Sequence, residues 1–152
     1  METERAARIS AAVGGQVGSL RHSALVTVAP DRVVEACKLV VEDGQYYHLS
    51  TITGIDEGEN ISVLYHFWKG GGFVTVKTSV PKSNPRLPSV SASLPAALFY
   101  EAEVMDMLGV VFEGNPRMGT KLLLPDAYPP EAPPPLRKEA DPEKIRKMMG
   151  LE

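Results

Sequence analysis

Residues 94–139 read LPAALFYEAEVMDMLGVVFEGNPRMGTKLLLPDAYPPEAPPPLRKE and constrain this chain more than any other stretch. An apolar run carrying three acids, Glu101, Glu103 and Asp106, reaches a glycine at Gly109. From Pro116 onward stand eight of the chain's 13 prolines, and a compact Leu136-Arg137-Lys138 closes the strap. Proline gives up a backbone donor and fixes φ, so this strap builds neither helix nor sheet interior and is expected to lie extended on a surface. The apolar run before it predicts a helix over 94–108, with Ser93 as N-cap, Pro95 in the first turn and Gly109 as the left-handed terminator.

On a helical wheel Leu98, Ala102 and Met105 form one apolar stripe, and Tyr100, Val104, Met107 and Leu108 form a second, roughly opposite. A helix with two apolar stripes needs two covers: its own sheet, and most simply a partner. Glu103 and Asp106 share one edge with Phe99, whereas Glu101 lies alone between Val104 and Leu108. Glu101 is therefore the acid expected to lose its water, and a buried carboxylate needs a cation or several donors. Arg117, Arg137, Lys138 or a partner's arginine are the expected sources.

Upstream, the β-branched alternation over 25–28 predicts a strand. Pro30 and Asp31 suit a helix start, and Val33, Val34, Cys37, Val40 and Val41 recur at helical spacing up to Gly44. Strands are expected over 46–55, 61–68 and 73–80, with a turn at 56–60 and a tight hairpin through Gly70-Gly71-Gly72. Pro81, Pro85 and Pro88 force an extended connection to the acidic helix. Residues 1–23, with Gly14-Gly15 in their middle, predict only a short or frayed helix. Asp141-Pro142 opens a short terminal helix through Met149. The expected class is α+β: a mainly antiparallel sheet with two principal helices, β-α-β-β-β-α, and an extended proline-rich tail. Its divisions are an N-terminal segment 1–23, an α+β domain 24–112 and a partner-binding tail 113–152.

A chain of 152 residues with 43% hydrophobic and 23% charged residues suits one ordinary globular domain. A net charge of −3 argues against nucleic acid, which calls for a clustered basic face. No apolar run approaches the roughly 20 residues of a membrane helix, and Met1 to Leu20 has no secretory pattern. The expected compartment is therefore the cytoplasm. The single cysteine, Cys37, precludes an internal disulfide and sits at a core position. His22, His48 and His66 are scattered without metal-ligand spacing. Neither a phosphate-binding loop nor a Gly-x-Ser-x-Gly nucleophile motif occurs. Glu101 and Glu103 could form a freestanding acid–base pair, but they point about 160° apart on the wheel and lack a companion nucleophile.

The order of residues in the acidic helix and strap resembles the C-subunit family of respiratory complex I, with counterparts in complex-I-like membrane-bound hydrogenases. Phe99, Tyr100, Glu101, Glu103, Asp106, Gly109, Val110, Phe112 and Gly114 stand where that family's pattern has them. So do Pro116, residues 122–126, and Pro135-Leu136-Arg137-Lys138-Glu139. Ser89 to Pro95 and residues 47–56 are similar to the family's approach to the helix and to its Leu-x-x-Ile-x-Gly-x-Asp strand. Three positions depart. Ala102 replaces an arginine between the glutamates, Asn115 replaces a histidine, and Gly119-Thr120, beside Lys121, replaces an arginine pair.

The resemblance implies a structural subunit without its own cofactor, in the hydrophilic arm of a membrane-attached, ion-translocating oxidoreductase. Its implied partners are a NiFe-hydrogenase-like large subunit and a small iron–sulfur subunit, which hold the iron–sulfur clusters and any nickel–iron centre. It would sit peripherally on the cytoplasmic side of the membrane, attached only through those partners. The departures favour a hydrogenase-type or related relative. A quinone-reducing NADH dehydrogenase-type complex is the alternative within the family, and the acid–base enzyme is the alternative from another class. The residues expected to meet a partner are Tyr100, Glu101, Glu103, Asp106, Arg117, Tyr128, Leu136, Arg137 and Lys138.

Overall fold

The computed structural model describes residues 2–20, 23–42 and 48–151. Its centre is the hairpin of β4 (Asn60–Lys69) and β5 (Gly72–Pro81), whose strict alternation decides which face is buried. Ile61, Val63, Tyr65 and Phe67 of β4 are fully enclosed together with Val74 and Val76 of β5. Between the two strands Gly70 and Gly71 both take positive φ, 21° and 116°, which gives the tight turn expected from three successive glycines.

The sheet order is β1-β2-β5-β4-β3, with β1 at Gln16–Leu20, β2 at Ser23–Thr27 and β3 at His48–Asp56. All neighbours are antiparallel except β2 and β5, which run parallel with Ser23 opposite Phe73. Three helices cover one face: α1 (Glu2–Val13), α2 (Val33–Glu42) and α3 (Ala97–Leu108). They supply Ala6, Ile9 and Val13, then Val33, Ala36, Cys37 and Val40, then Ala97, Val104 and Leu108 to a single core. The opposite face carries Trp68, Phe73 and Ile55, each about two-fifths exposed, and no helix among the described residues packs over it.

The α+β class with a mainly antiparallel sheet is as expected, and the differences lie at its margins. Residues 2–20 form a 12-residue helix and an edge strand, where only a short or frayed helix is expected. The Gly14-Gly15 pair is the turn between them. Gly14 takes φ 70°, and a Cβ on Gly15 would meet the Thr27 carbonyl oxygen at 2.7 Å. Pro30 and Asp31 occupy a separate 3-10 turn, Pro30–Arg32, ahead of α2. The expected helix end at Gly44, the strand start at Tyr46-Tyr47, and His22 lie outside the described residues.

The acidic helix also begins later than expected. Ser93 does not cap it: the Ser93 and Leu94 amides both donate to the Val90 carbonyl, and the helix starts at Ala97 without a side-chain cap. Its end is as expected, with Gly109 left-handed at φ 75° and its amide on the Met105 carbonyl. Flanking α3 is an unexpected two-stranded parallel pair, β6 (Arg86–Pro88) with β7 (Val111–Glu113). Three-residue strands leave no periodic signal, yet this pair fastens together the segments entering and leaving α3. A last helix, α4 (Pro142–Met148), is capped by the Asp141 carboxylate, which accepts from the Glu143 and Lys144 amides.

Helix α3 rests on β3 where that strand has no side chain. A Cβ on Gly54 would lie 2.3 Å from Leu108 Cδ1 and 3.1 Å from Val104 Cγ1. Gly54→Ala is therefore expected to cost about 1–3 kcal/mol through overpacking. Equilibrium urea unfolding of Gly54→Ala, Leu108→Ala and the double variant checks this. The clash predicts a double variant more stable than the sum of the two single effects, and strict additivity would disprove it.

Candidate functional site

Glu101 is the only charged side chain among the described residues with no exposed surface at all. Its Oε1 accepts from the Val90 amide at 2.8 Å, and its Oε2 accepts from the Ser89 hydroxyl at 2.6 Å and Asn115 Nδ2 at 2.8 Å. Ser89 and Val90 follow β6, and Asn115 follows β7, so the small parallel pair brings these donors to one carboxylate. The expectation that Arg117, Arg137 or Lys138 pairs with Glu101 is corrected: neutral donors of the chain itself satisfy its oxygens, and none of these three cations bonds to it. Burial pushes the Glu101 carboxyl up, and the bonds from Ser89, Val90 and Asn115 pull it partly back. Its charge reaches across the core. Burial first, then Glu101, pushes the Cys37 thiol up, and the Tyr65 phenol rises through burial, Cys37 and Glu101.

Asp106 performs the corresponding task for the strap. Its Oδ2 accepts from the Leu122, Leu123 and Leu124 amides at 2.7, 2.7 and 3.1 Å. Proximity on the wheel placed it beside Glu103 on a common edge, but the structure separates the two: Asp106 is buried and Glu103 is exposed. The second cover of the helix is thus supplied in part by the chain's own strap. Met105 reinforces it, its sulfur accepting from the Gly119 amide.

Further along, the strap is tied at several points. The Leu136 amide donates to the Met107 carbonyl at 2.9 Å, and Arg137 Nε donates to the Leu108 carbonyl at 2.8 Å. Arg137 thereby satisfies a terminal carbonyl of α3 and puts positive charge at the negative end of its dipole. The Lys138 amide reaches Asp56 Oδ2 at 2.9 Å, and that oxygen also accepts from Lys82 Nζ at 2.6 Å. Lys82 in turn pairs with Glu139. The hydrogen bond from Lys82, followed by those from the Lys138 and Gly58 amides, holds the Asp56 carboxyl well below the usual carboxylate range. Lys121 curls the middle of the strap by donating to the Pro125, Asp126 and Tyr128 carbonyls. Tyr128 donates its hydroxyl to the Pro133 carbonyl at 2.6 Å.

Of the expected partner-facing residues, Leu136 is 61% exposed, and Glu103 and the Lys138 side chain face solvent. Tyr100, Arg117, Tyr128 and Arg137 are half-buried, while Glu101 and Asp106 are enclosed. Arg117 lies over the Phe99 ring, 4.9 Å from its centroid. Sequence reasoning passed over Asp56, Lys82, Ser89 and Glu139 as functional residues and saw Asn115 only as a departure. The Asp56-Glu57-Gly58 turn was the one available signal, and it marks a turn rather than a latch. No group of three or more metal-ligating side chains gathers among the described residues. His66 bonds Thr75 at 3.0 Å and Thr53 at 3.1 Å instead. Among the described residues, no helix is long and apolar enough to cross a membrane.

Residues 26–146, which span both halves of this arrangement, match the family model described as respiratory-chain NADH dehydrogenase, 30 Kd subunit. The chain belongs to this family. The NADH-quinone oxidoreductase C subunit of Novosphingobium aromaticivorans is 38% identical over 114 residues, covering 70% of this chain and 37% of that relative's own length. The NADH-quinone oxidoreductase C/D subunit of Methylococcus capsulatus is 33% identical over 109 residues, 64% of this chain and 18% of the relative. Among solved structures, a chain of the membrane-bound sulfane sulfur reductase, an archaeal respiratory membrane complex, superposes with TM-score 0.80 at 27% identity. That match covers 95% of this chain and 88% of the other.

Two measurements test the geometry. In Glu101→Gln, an NH2 replaces one acceptor and faces a donor, so a loss of about 1–3 kcal/mol is expected. Exposed Glu103→Gln should stay within about 0.5 kcal/mol. Urea midpoints compare them, and equal midpoints would mean that Glu101 is not so enclosed.

The strap latch should also respond to acid. Because the folded-state pKa of Asp56 is depressed, its contribution is complete above the ordinary carboxylate range near about 4 and fades as pH falls below it. Glu101, whose pKa is raised, acts in the opposite sense, since acidification relieves the cost of its buried charge. Hydrogen exchange at the Lys138 amide, corrected for intrinsic rates, should show protection at pH 6 that declines below about 4. Asp56→Asn should remove that protection at both pH values. Protection unchanged by this substitution would rule out the latch.

Proposed function

We propose that the chain is a structural subunit of the hydrophilic arm of a complex-I-like, membrane-attached, ion-translocating oxidoreductase, without a cofactor of its own. In this reading it docks on a NiFe-hydrogenase-like large subunit, next to a small iron–sulfur subunit, on the cytoplasmic side of the membrane. Its work is positional: it holds the electron-carrying subunits at fixed separation. The observation that carries the reading is the similarity over 95% of the chain to a subunit-sized chain in an archaeal respiratory membrane complex. A relative whose name joins C and D in one polypeptide supports a large subunit as neighbour. So do the apolar side chains that stay outside on the strap and the helix after it, Leu123, Leu136, Met148 and Leu151, which are 39–61% exposed.

Among complex types we favour the hydrogenase or sulfur-reducing kind. Ala102, Asn115 and Gly119-Thr120 remove three cations and a histidine that quinone-reducing relatives carry, and the sulfane sulfur reductase chain is matched almost throughout. The quinone-reducing alternative draws on the names of relatives such as the Novosphingobium protein. A freestanding acid–base enzyme has little support. Glu101 is fully enclosed by its own donors while Glu103 is exposed, so no substrate can lie between them.

The deciding experiment is affinity purification of the tagged subunit from its native membranes, followed by mass spectrometry and sequencing of what accompanies it. A large subunit with paired Cys-x-x-Cys nickel ligands is expected for a hydrogenase, and one lacking them for a quinone-reducing relative. Turnover by the purified subunit alone, with no large subunit retained, would overturn the proposal.

A further inference from the structure

Beside the N-terminal end of α3 a groove of about 410 Å³ opens between Ser91, Ala92, Pro95 and Leu98 on one wall and Gly114 and Pro116 on the other. Both walls are held by the same carboxylate. Ser89 and Val90 tie the first to Glu101, and Asn115 ties the second to Glu101 and to the Leu98 carbonyl. A groove whose two sides share a buried anchor loses little entropy when it is filled. Next to it the Arg117 guanidinium is stacked on Phe99, a ring that is 50% exposed. Arg117 has no ion pair with any described carboxylate, and its Nε is buried without an acceptor. Of the acids on or beside α3, Glu101 serves three neutral donors, Asp106 holds the strap and Glu113 pairs with Arg86 at 3.0 Å, while Glu103 faces solvent and forms no described ion pair with Arg117.

We infer that this groove seats a segment of the large subunit whose apolar side chain fills the space between Leu98 and Pro116 and whose carboxylate pairs with Arg117. The inference rests on the docking reading above and adds its place and chemistry. With Nε buried, the two coplanar Nη groups of a guanidinium lying over a ring are the donors that receive a carboxylate through two parallel hydrogen bonds. A lysine cannot reproduce it, because it has neither the plane nor the fork. An acid from the partner would complete the pairing that this chain leaves open, and the exposed Phe99 face would be covered in the same step. The expected occupant is thus an acidic residue next to an aliphatic or aromatic one, on an exposed loop of the large subunit.

The test uses the complex as it exists, immobilised through a tag on this subunit and washed with a rising potassium chloride gradient. Wild type, Arg117→Glu, Arg117→Met, Arg117→Lys and Phe99→Ala are compared for retention of the large subunit, and thermal melts of each isolated subunit check folding. Arg117→Glu should weaken retention at least tenfold at low salt, and Arg117→Met should weaken it less and abolish most of its salt dependence. Arg117→Lys should fall between Arg117→Met and wild type. If Arg117→Glu does not fold, Arg117→Met, which keeps the stem over Phe99, decides the question. A wild-type subunit that retains no large subunit would defeat the docking reading itself. A wild type that does so, with Arg117→Glu and Arg117→Met indistinguishable from it across the gradient, would overturn only the groove.

Discussion

A carboxylate buried without a counter-ion is the constraint around which this protein is arranged. Removing a carboxylate from water is tolerable only when several donors converge on it, and at Glu101 they come from two loops far apart in sequence. Satisfying the charge therefore dictates the path of the chain both before and after α3. The β6–β7 pair, the late start of the helix and the inward turn at Asn115 all belong to that requirement. Because no cation takes part, none is lost from the surface to serve it, and Arg117 remains available.

Asp106 and Asp56 extend the same economy to the strap. A proline-rich segment has few backbone donors and cannot join a sheet, so its remaining amides must find acceptors elsewhere. Three of them find Asp106 and one finds Asp56. The strap is consequently tied to the subunit on its inner side and carries the exposed Leu123 and Leu136 on its outer side. Those two faces explain how a segment without secondary structure can be both fixed in place and suited to contact.

What the sequence disclosed follows from the range of its signals. Periodicity exposed α2, strands β3, β4 and β5, and the acidic helix, because each buries a regular set of side chains. The Gly70-Gly71 turn and the Gly109 terminator were legible because positive φ selects glycine. The burial of Glu101 was legible from its apolar neighbours on the wheel, but its partners were not, since Ser89 and Asn115 carry no pattern that points 12 or 14 residues along the chain. The length of the N-terminal helix, and the strand after it, were hidden by a glycine pair that serves as a boundary where it looked like an interruption. Asp106 misled because an acid beside Glu103 on a wheel gives no hint of three amides arriving from 16 to 18 residues away.

The parallel pairing of β2 with β5 also bears on how the molecule is made. Strands β3, β4 and β5 adjoin in sequence and can zip as a meander through short loops, whereas Ser23 must wait for Phe73, some 50 residues later, before its strand has a neighbour on that side. Loop closure over such a span is entropically costly and slows folding as the separation of the ends grows. On the ribosome, helix α1 and the β1–β2 hairpin leave the exit tunnel long before the template that completes them. Their apolar faces stay uncovered throughout that interval, so this N-terminal stretch is where a chaperone would have the most time to bind.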